Sequence, residues 1–276
     1  MDIKKLTVAN IEDMSYTDFV SLIREENRPP GGKMTVREIL KNSFVNFRSK
    51  VLEVGCTNGF TSLEVARTVG CEVFGIDINE NSLENARNRI KEERVTFLKG
   101  STYDLPFDDS SFDLVVCGNA TSFMEEKNNA VQEYMRVVRD WGFVALTPMY
   151  YIKKPSIEIV DKVSDIIGTK IDITTKDEWT TLLEKNGFEI YYSKDYKFNG
   201  KNENDIKEYV ELFLGKSFLR DLNEEIRDVI RKKWSGIMNV FEENLSYVGY
   251  SIILLRKRSE AEEKELFDVD VENEII

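Results

Sequence analysis

Between residues 50 and 147, five short apolar runs of strand length alternate with helical stretches, and few folds accommodate that order. The runs are KVLEVG (50–55), EVFGID (72–77), RVTFLK (94–99), FDLVVC (112–117) and GFVALT (142–147). Helical periodicity fills 61–69 and 125–139, and Asn81 with Glu84 stands at capping-box spacing to open a helix reaching about residue 92. Strands joined by helical crossovers run parallel, and a parallel sheet buries both faces under helices. Farther on, the pattern predicts a helix over 176–186 that stops at Gly187, then strands over 188–198 and 248–256. The expected architecture is α/β, a mostly parallel sheet of seven strands.

Two helical segments accompany this sheet. Residues 1–48 read as short helices around a break: Phe19, Leu22 and Ile23 share one helical face, and NRPPGG (27–32) ends it. A second short helix runs over about 35–44, with Thr35 and Glu38 as its capping box. Residues 199–247 read as a helical insertion between the last two strands. Ile206, Tyr209, Val210, Phe213 and Leu214 recur at helical spacing before Gly215, and Asp221 with Glu224 caps a second helix. Leu222, Ile226, Val229, Ile230, Ile237, Phe241 and Leu245 form its stripe. Such apolar faces must be covered. Three burials are open: against each other and the sheet edge, over an acceptor pocket, or against a second subunit in a homodimer.

Composition removes several functions. The 276 residues include no histidine, which excludes Ser-His and Cys-His nucleophiles, an imidazole base and His-ligated zinc. Cys56, Cys71 and Cys117 lie too far apart for a paired-cysteine metal site and are too few for a disulfide framework, as expected in a reducing cytosol. Of the net charge of −12, residues 259–276 contribute −7, leaving −5 for the rest. Neither part has the basic balance of a nucleic-acid binder. The N-terminus has no apolar signal core, and no apolar run approaches the roughly 18 residues of a membrane span. A soluble cytoplasmic protein with no membrane partner is the expectation.

The chemistry sits where the first strand ends. VLEVGCTNGF (51–60) is a glycine-rich turn leading into a helix, and Gly55 and Gly59 make it G-x-x-x-G rather than the G-x-G-x-x-G of a dinucleotide fold. The missing side chains let backbone lie close against a ligand. Asp77, 22 residues after Gly55, closes the second strand where a carboxylate can accept both hydroxyl hydrogens of a ribose. FLKGSTYDLPFDDSSFDLVVC (97–117) then ends one strand and opens the next. In this order and spacing the three elements resemble the class I S-adenosylmethionine-dependent methyltransferases, in the small-molecule branch with an LPF-x-x-x-S-F-D segment.

The resemblance is close over 51–147 and elsewhere extends to strand order alone. It implies a Rossmann-like fold, S-adenosyl-L-methionine as cofactor and methyl transfer to a small-molecule acceptor. By the same resemblance Glu53 and the loop of Gly55, Cys56, Thr57 and Gly59 hold the methionine part of the cofactor. Asp77 holds the ribose, Ile78 packs on adenine, and Ser101 and Thr102 edge it. Two departures stand out: Thr57 occupies a position where the family often has another glycine, and Ser101 rather than an acid follows Gly100.

Ligands of open α/β sheets sit beyond the carboxyl ends of the strands. That rule puts Asn119, after strand four, and Tyr150, after strand five, near the transferred methyl as candidate catalytic residues, with Asn119 also touching the cofactor. A sulfonium is already activated, so the protein mainly aligns the acceptor and excludes water. Without histidine, any base is Tyr, Asp or Glu, and the acceptor leans toward an amine, a thiol, an enolate-like carbon or an acidic hydroxyl. No metal is expected. Either the NRPPGG segment folds over the cofactor, with Arg28 on its carboxylate and Tyr16 closing the lid, or it is a rigid turn with Arg28 in solvent. A single domain then spans 1–258, with a helical lid at 1–48, a cofactor core at 49–151 and a helical cap at 199–247, followed by an acidic tail at 259–276. A non-catalytic S-adenosylmethionine-binding protein and an aminopropyl transferase on the same fold stay open as alternatives.

Overall fold

The computed structural model describes residues 6–258, so the acidic tail lies outside the described residues. The sheet is built from β1 (Lys50–Val54), β2 (Glu72–Asp77), β3 (Val95–Lys99), β4 (Phe112–Cys117), β5 (Val138–Leu146), β6 (Met149–Tyr151), β7 (Phe188–Lys197) and β8 (Val248–Lys257). The order is β3-β2-β1-β4-β5-β8-β6, with β7 also paired to β8. β1 to β5 run parallel, and β8 is antiparallel to β5, β6 and β7. The expected seven strands become eight at Pro148. β5 pairs with residues 253–256 of β8 and β6 with residues 248–250, so the fifth strand continues along one edge across a break. Proline has no N–H for the ladder, and the preceding Thr147 instead bonds the carbonyl of Gly118 at the end of β4.

Strand alternation sorts the core into two faces. Leu52, Val54, Val115, Cys117, Val144 and Leu146 pack with Val131, Tyr134 and Leu183 of α6 (Lys127–Val137) and α8 (Lys176–Lys185). Val51, Val73, Leu114, Val116 and Ala145 pack with Val36, Ile39, Phe60 and Val65 of α3 (Lys33–Asn42) and α4 (Phe60–Val69). α5 (Glu80–Arg89) covers β3 through Leu83, Ala86 and Phe97.

A third core is helical only. α9 (Glu203–Leu214), α10 (Ser217–Arg220) and α11 (Glu224–Leu245) pack on one another and on α1 (Val8–Glu12) and α2 (Tyr16–Leu22). Phe19, Phe213 and Trp234 meet at its centre, with exposures of 0%, 6% and 2%. Of the three burials open to the insertion, the structure uses the first in altered form. The stripes bury against each other and the N-terminal helices, so Phe213 and Trp234 are core residues.

Several local expectations are corrected. Asn79, not Asn81, caps α5 by accepting from Ser82, and Asn223, not Asp221, caps α11 by accepting from Ile226. α3 opens at Lys33, so Thr35 lies inside it, where its hydroxyl bonds the Pro30 carbonyl, and Glu38 accepts from Tyr192. Gly215 ends α9 in a right-handed conformation. An additional helix, α7 (Ile157–Ile167), runs from the Ser156 cap to a left-handed Gly168 and packs on α11. Among the described residues, no helix is long and apolar enough to cross a membrane.

Candidate functional site

The loop after β1 is shaped by what its glycines leave out. Gly55 has φ 71°, and a Cβ there would lie 2.8 Å from the Cβ of Ala120. Gly59 has φ 76°, and a Cβ there would lie 2.6 Å from Phe97 and 2.8 Å from Ile90. The space expected for a ligand is, at these two Cβ positions, space for protein neighbours. Thr57, at the position where the family often has glycine, does adopt a left-handed φ of 44°. Its N–H donates to Asp77 Oδ2 at 2.8 Å, while Asn79 N–H donates to Oδ1 at 2.9 Å. Burial raises the Asp77 pKa, and those two amides pull it back. Both carboxylate oxygens keep a lone pair for a further donor. Beside them Ile78 is 69% exposed, an apolar side chain left without protein cover.

Other expected residues are placed differently. Glu53 is engaged by the protein itself, with Cys56 and Asp77 close enough to feel its charge. It is buried between β1 and α4, where Oε2 accepts from the Ser62 N–H at 2.8 Å and from its hydroxyl. Burial lifts the Glu53 pKa to about 7 despite those donors. Cys56 is buried and its thiol pushed up by desolvation. Ser101 Oγ accepts from the Tyr103 N–H, and the Thr102 and Tyr134 hydroxyls are 3.0 Å apart.

The two candidate catalytic residues do not converge. Asn119 Nδ2 donates to Met149 Sδ at 2.8 Å, and Asn119 Oδ1 is buried with no donor among the described residues. Tyr150 is the next residue along β6 and points to the other face of the sheet. Its hydroxyl lies 2.9 Å from Ser251 Oγ, which donates to Asp195 at 2.6 Å, and Asp195 pairs with Lys176. Tyr150, Asp195 and Lys176 line an open groove of about 730 Å³ with Tyr151, Thr175 and Tyr196.

Residues 25–29 lie across the ends of β1 and β4. Asn58 of the loop donates to the Glu25 carbonyl, Asn27 donates to Thr57 Oγ1 at 3.0 Å, and Pro29 lies against Gly118. Arg28 pairs with Glu26 and stacks over Phe60 at 4.8 Å, with 54% of its side chain exposed. Tyr16 packs edge-on against Phe241 in the helical core. Missing from the sequence reading is Glu25, whose carboxylate receives the Tyr209 hydroxyl at 3.1 Å. No local signal marks it, because its partner comes from α9.

These residues fit an adenosyl sulfonium cofactor: a ribose-competent acid, a bare apolar side chain beside it, and buried oxygens of Asn58 and Asn119 without donors among the described residues. The chain matches the family model described as a methyltransferase domain over residues 52–146. It is 32% identical to the demethylmenaquinone methyltransferase of Staphylococcus aureus over 178 residues, 62% of this chain and 70% of that protein. It is 26% identical to the 27-O-demethylrifamycin SV methyltransferase of Amycolatopsis mediterranei, over 53% of this chain and 56% of that protein. The crystal structure of MccD protein superimposes with a TM-score of 0.71 at 22% identity, covering 84% of this chain and 100% of that one. Sheet order, loop, acid and relatives agree, and the chain belongs to the class I S-adenosylmethionine-dependent methyltransferases.

Proposed function

We propose that this methyltransferase binds S-adenosylmethionine with Asp77 on the ribose, Ile78 under adenine, and the 55–59 loop with Asn119 Oδ1 at the methionine end. Its small-molecule acceptor enters where residues 25–29 meet the helical cap. The observation that carries this reading is the Asp77 carboxylate, fixed at both oxygens by backbone amides and still able to accept from two hydroxyls. When bound, the cofactor supplies an electrophilic methyl group on sulfur. The chain's own part is to align the acceptor, cover the site with residues 25–29 and exclude water. The acidic balance supports a small molecule over RNA, and so do relatives whose names carry rifamycin and menaquinone precursors. Glu53, Arg28 and Tyr150 take no direct part: the first caps α4, the second is paired with Glu26, and the third faces the other side of the sheet.

Calorimetry with S-adenosylhomocysteine tests the cofactor half. Asp77→Ala should bind it more than tenfold more weakly, since two hydrogen bonds to a charged group, each about 1.5–3 kcal/mol, go with the carboxylate. NAD should give no heat. Undiminished affinity in a folded Asp77→Ala protein would remove the ribose assignment.

A further inference from the structure

The helical cap and the cofactor loop meet at a carboxylate that feels the Lys216 charge and forms no direct ion pair among the described residues. Glu25 Oε1 accepts from the Tyr209 hydroxyl at 3.1 Å, Oε2 accepts from the Asn27 N–H, and the Glu25 carbonyl is tied to Asn58 of the glycine loop. Among the described residues no Lys or Arg forms an ion pair with it. Lys216, the cation beside it, donates instead to the carbonyls of Ile23 and Arg24 at 3.3 and 2.9 Å. Tyr209 is backed by the aromatic core, its ring against Phe213 and Trp234, which also touch each other. The buried Trp234 Nε1 has no acceptor among the described residues.

Resting on the acceptor placement above, we propose that Glu25 is the proton acceptor of the transfer site, serving a small molecule with an apolar frame and a protonated oxygen or nitrogen. The acceptor's O–H or N–H bond breaks, its proton passes to a Glu25 carboxylate oxygen, and the electron pair stays on the acceptor atom to attack. The proton leaves to solvent once the product has gone.

Elimination supports the geometry. Histidine is absent, Asp77 is assigned to the ribose in the reading above, and Glu53 bonds the first turn of α4. Tyr16 and Tyr209 are held further from ionisation by burial and then by the Glu25 charge, so neither serves as a base near neutral pH. Burial raises the Glu25 pKa, opposed by the Asn27 amide, the Tyr209 hydroxyl and the Lys216 charge. A carboxyl so poised holds a proton longer than an exposed one does. The groups facing it are Tyr16 from α2, Tyr209 from α9, Lys216 ahead of α10 and Glu26, with Arg28 near Tyr209 and Arg89 on Glu26.

Carbon-13 NMR titration of glutamate-labelled protein, with Glu25→Gln assigning the signal, tests this before an acceptor is in hand. Glu25 should ionise above the ordinary glutamate value of about 4.3, and further up in Tyr209→Phe, which removes a donor to the charged form. An ordinary value, or one unmoved by Tyr209→Phe, overturns the proposal. Turnover of labelled S-adenosylmethionine with phenols, enols and amines is the second readout. Glu25→Gln should lower kcat roughly a hundredfold or more, keep KM, and lose the acid limb of the pH profile. Wild-type turnover in that variant overturns the proposal. S-adenosylhomocysteine affinity should be unchanged in Glu25→Gln and more than tenfold weaker in Asp77→Ala, so failure here is distinct from failure of the cofactor assignment.

Discussion

At the scale of single residues, two acids of the same strand-end region have opposite fates. Asp77 was legible because a βα unit fixes its spacing from Gly55, and the structure finds it at the loop. Glu53 shares the glycine loop's strand, yet pleating turns it under α4. Its folded pKa of about 7 lies above the ordinary value of 4.5, so the folded state binds more protons between those values. Its contribution to stability is therefore full below pH 4.5 and is lost as pH rises through 7. The loss amounts to about 3 kcal/mol at 1.36 kcal/mol per unit, an upper figure. Urea unfolding at pH 4.5 and 7.5 should show a steeper decline for wild type than for Glu53→Gln. Parallel curves would mean that Glu53 ionises normally.

At the scale of elements, the glycine loop is held by steric exclusion as much as by turn geometry. Gly59→Ala would combine a left-handed φ with a Cβ pressed onto the buried Phe97 ring and onto Ile90 Cδ1. A cost of about 2–4 kcal/mol is expected from backbone strain and overpacking together, read as a lower urea midpoint. Caps were less legible than elements. Asn79 and Asn81, or Asp221 and Asn223, are equivalent in type and differ only in which one reaches the third amide. The α7 signals, Ser156 before and Gly168 after an apolar stripe, stand in the sequence, yet the reading above passes over that helix.

For the whole molecule, the helical core joins residues 11–23 to 210–237 and so sets where residues 25–29 lie over the sheet. Trp234→Ala should cost about 3–5 kcal/mol. It should also raise amide hydrogen exchange across α1 and α2 while the amides of β1 and β4 stay protected. Uniform loss of protection would show that the helical core is not a separable unit. The five parallel strands and the position of Asp77 against the glycine loop were determined by the sequence itself, since alternation, helical period and the spacing of a loop from its acid are carried by neighbouring residues. Only the tertiary structure decided what surrounds Glu25 and residues 25–29. Tyr209 reaches Glu25 across 184 residues of chain, and strand pleating sends Asn119's contact Met149 and Tyr150 to opposite faces. Contacts between distant segments depend on how packed helices settle, and no local pattern encodes that.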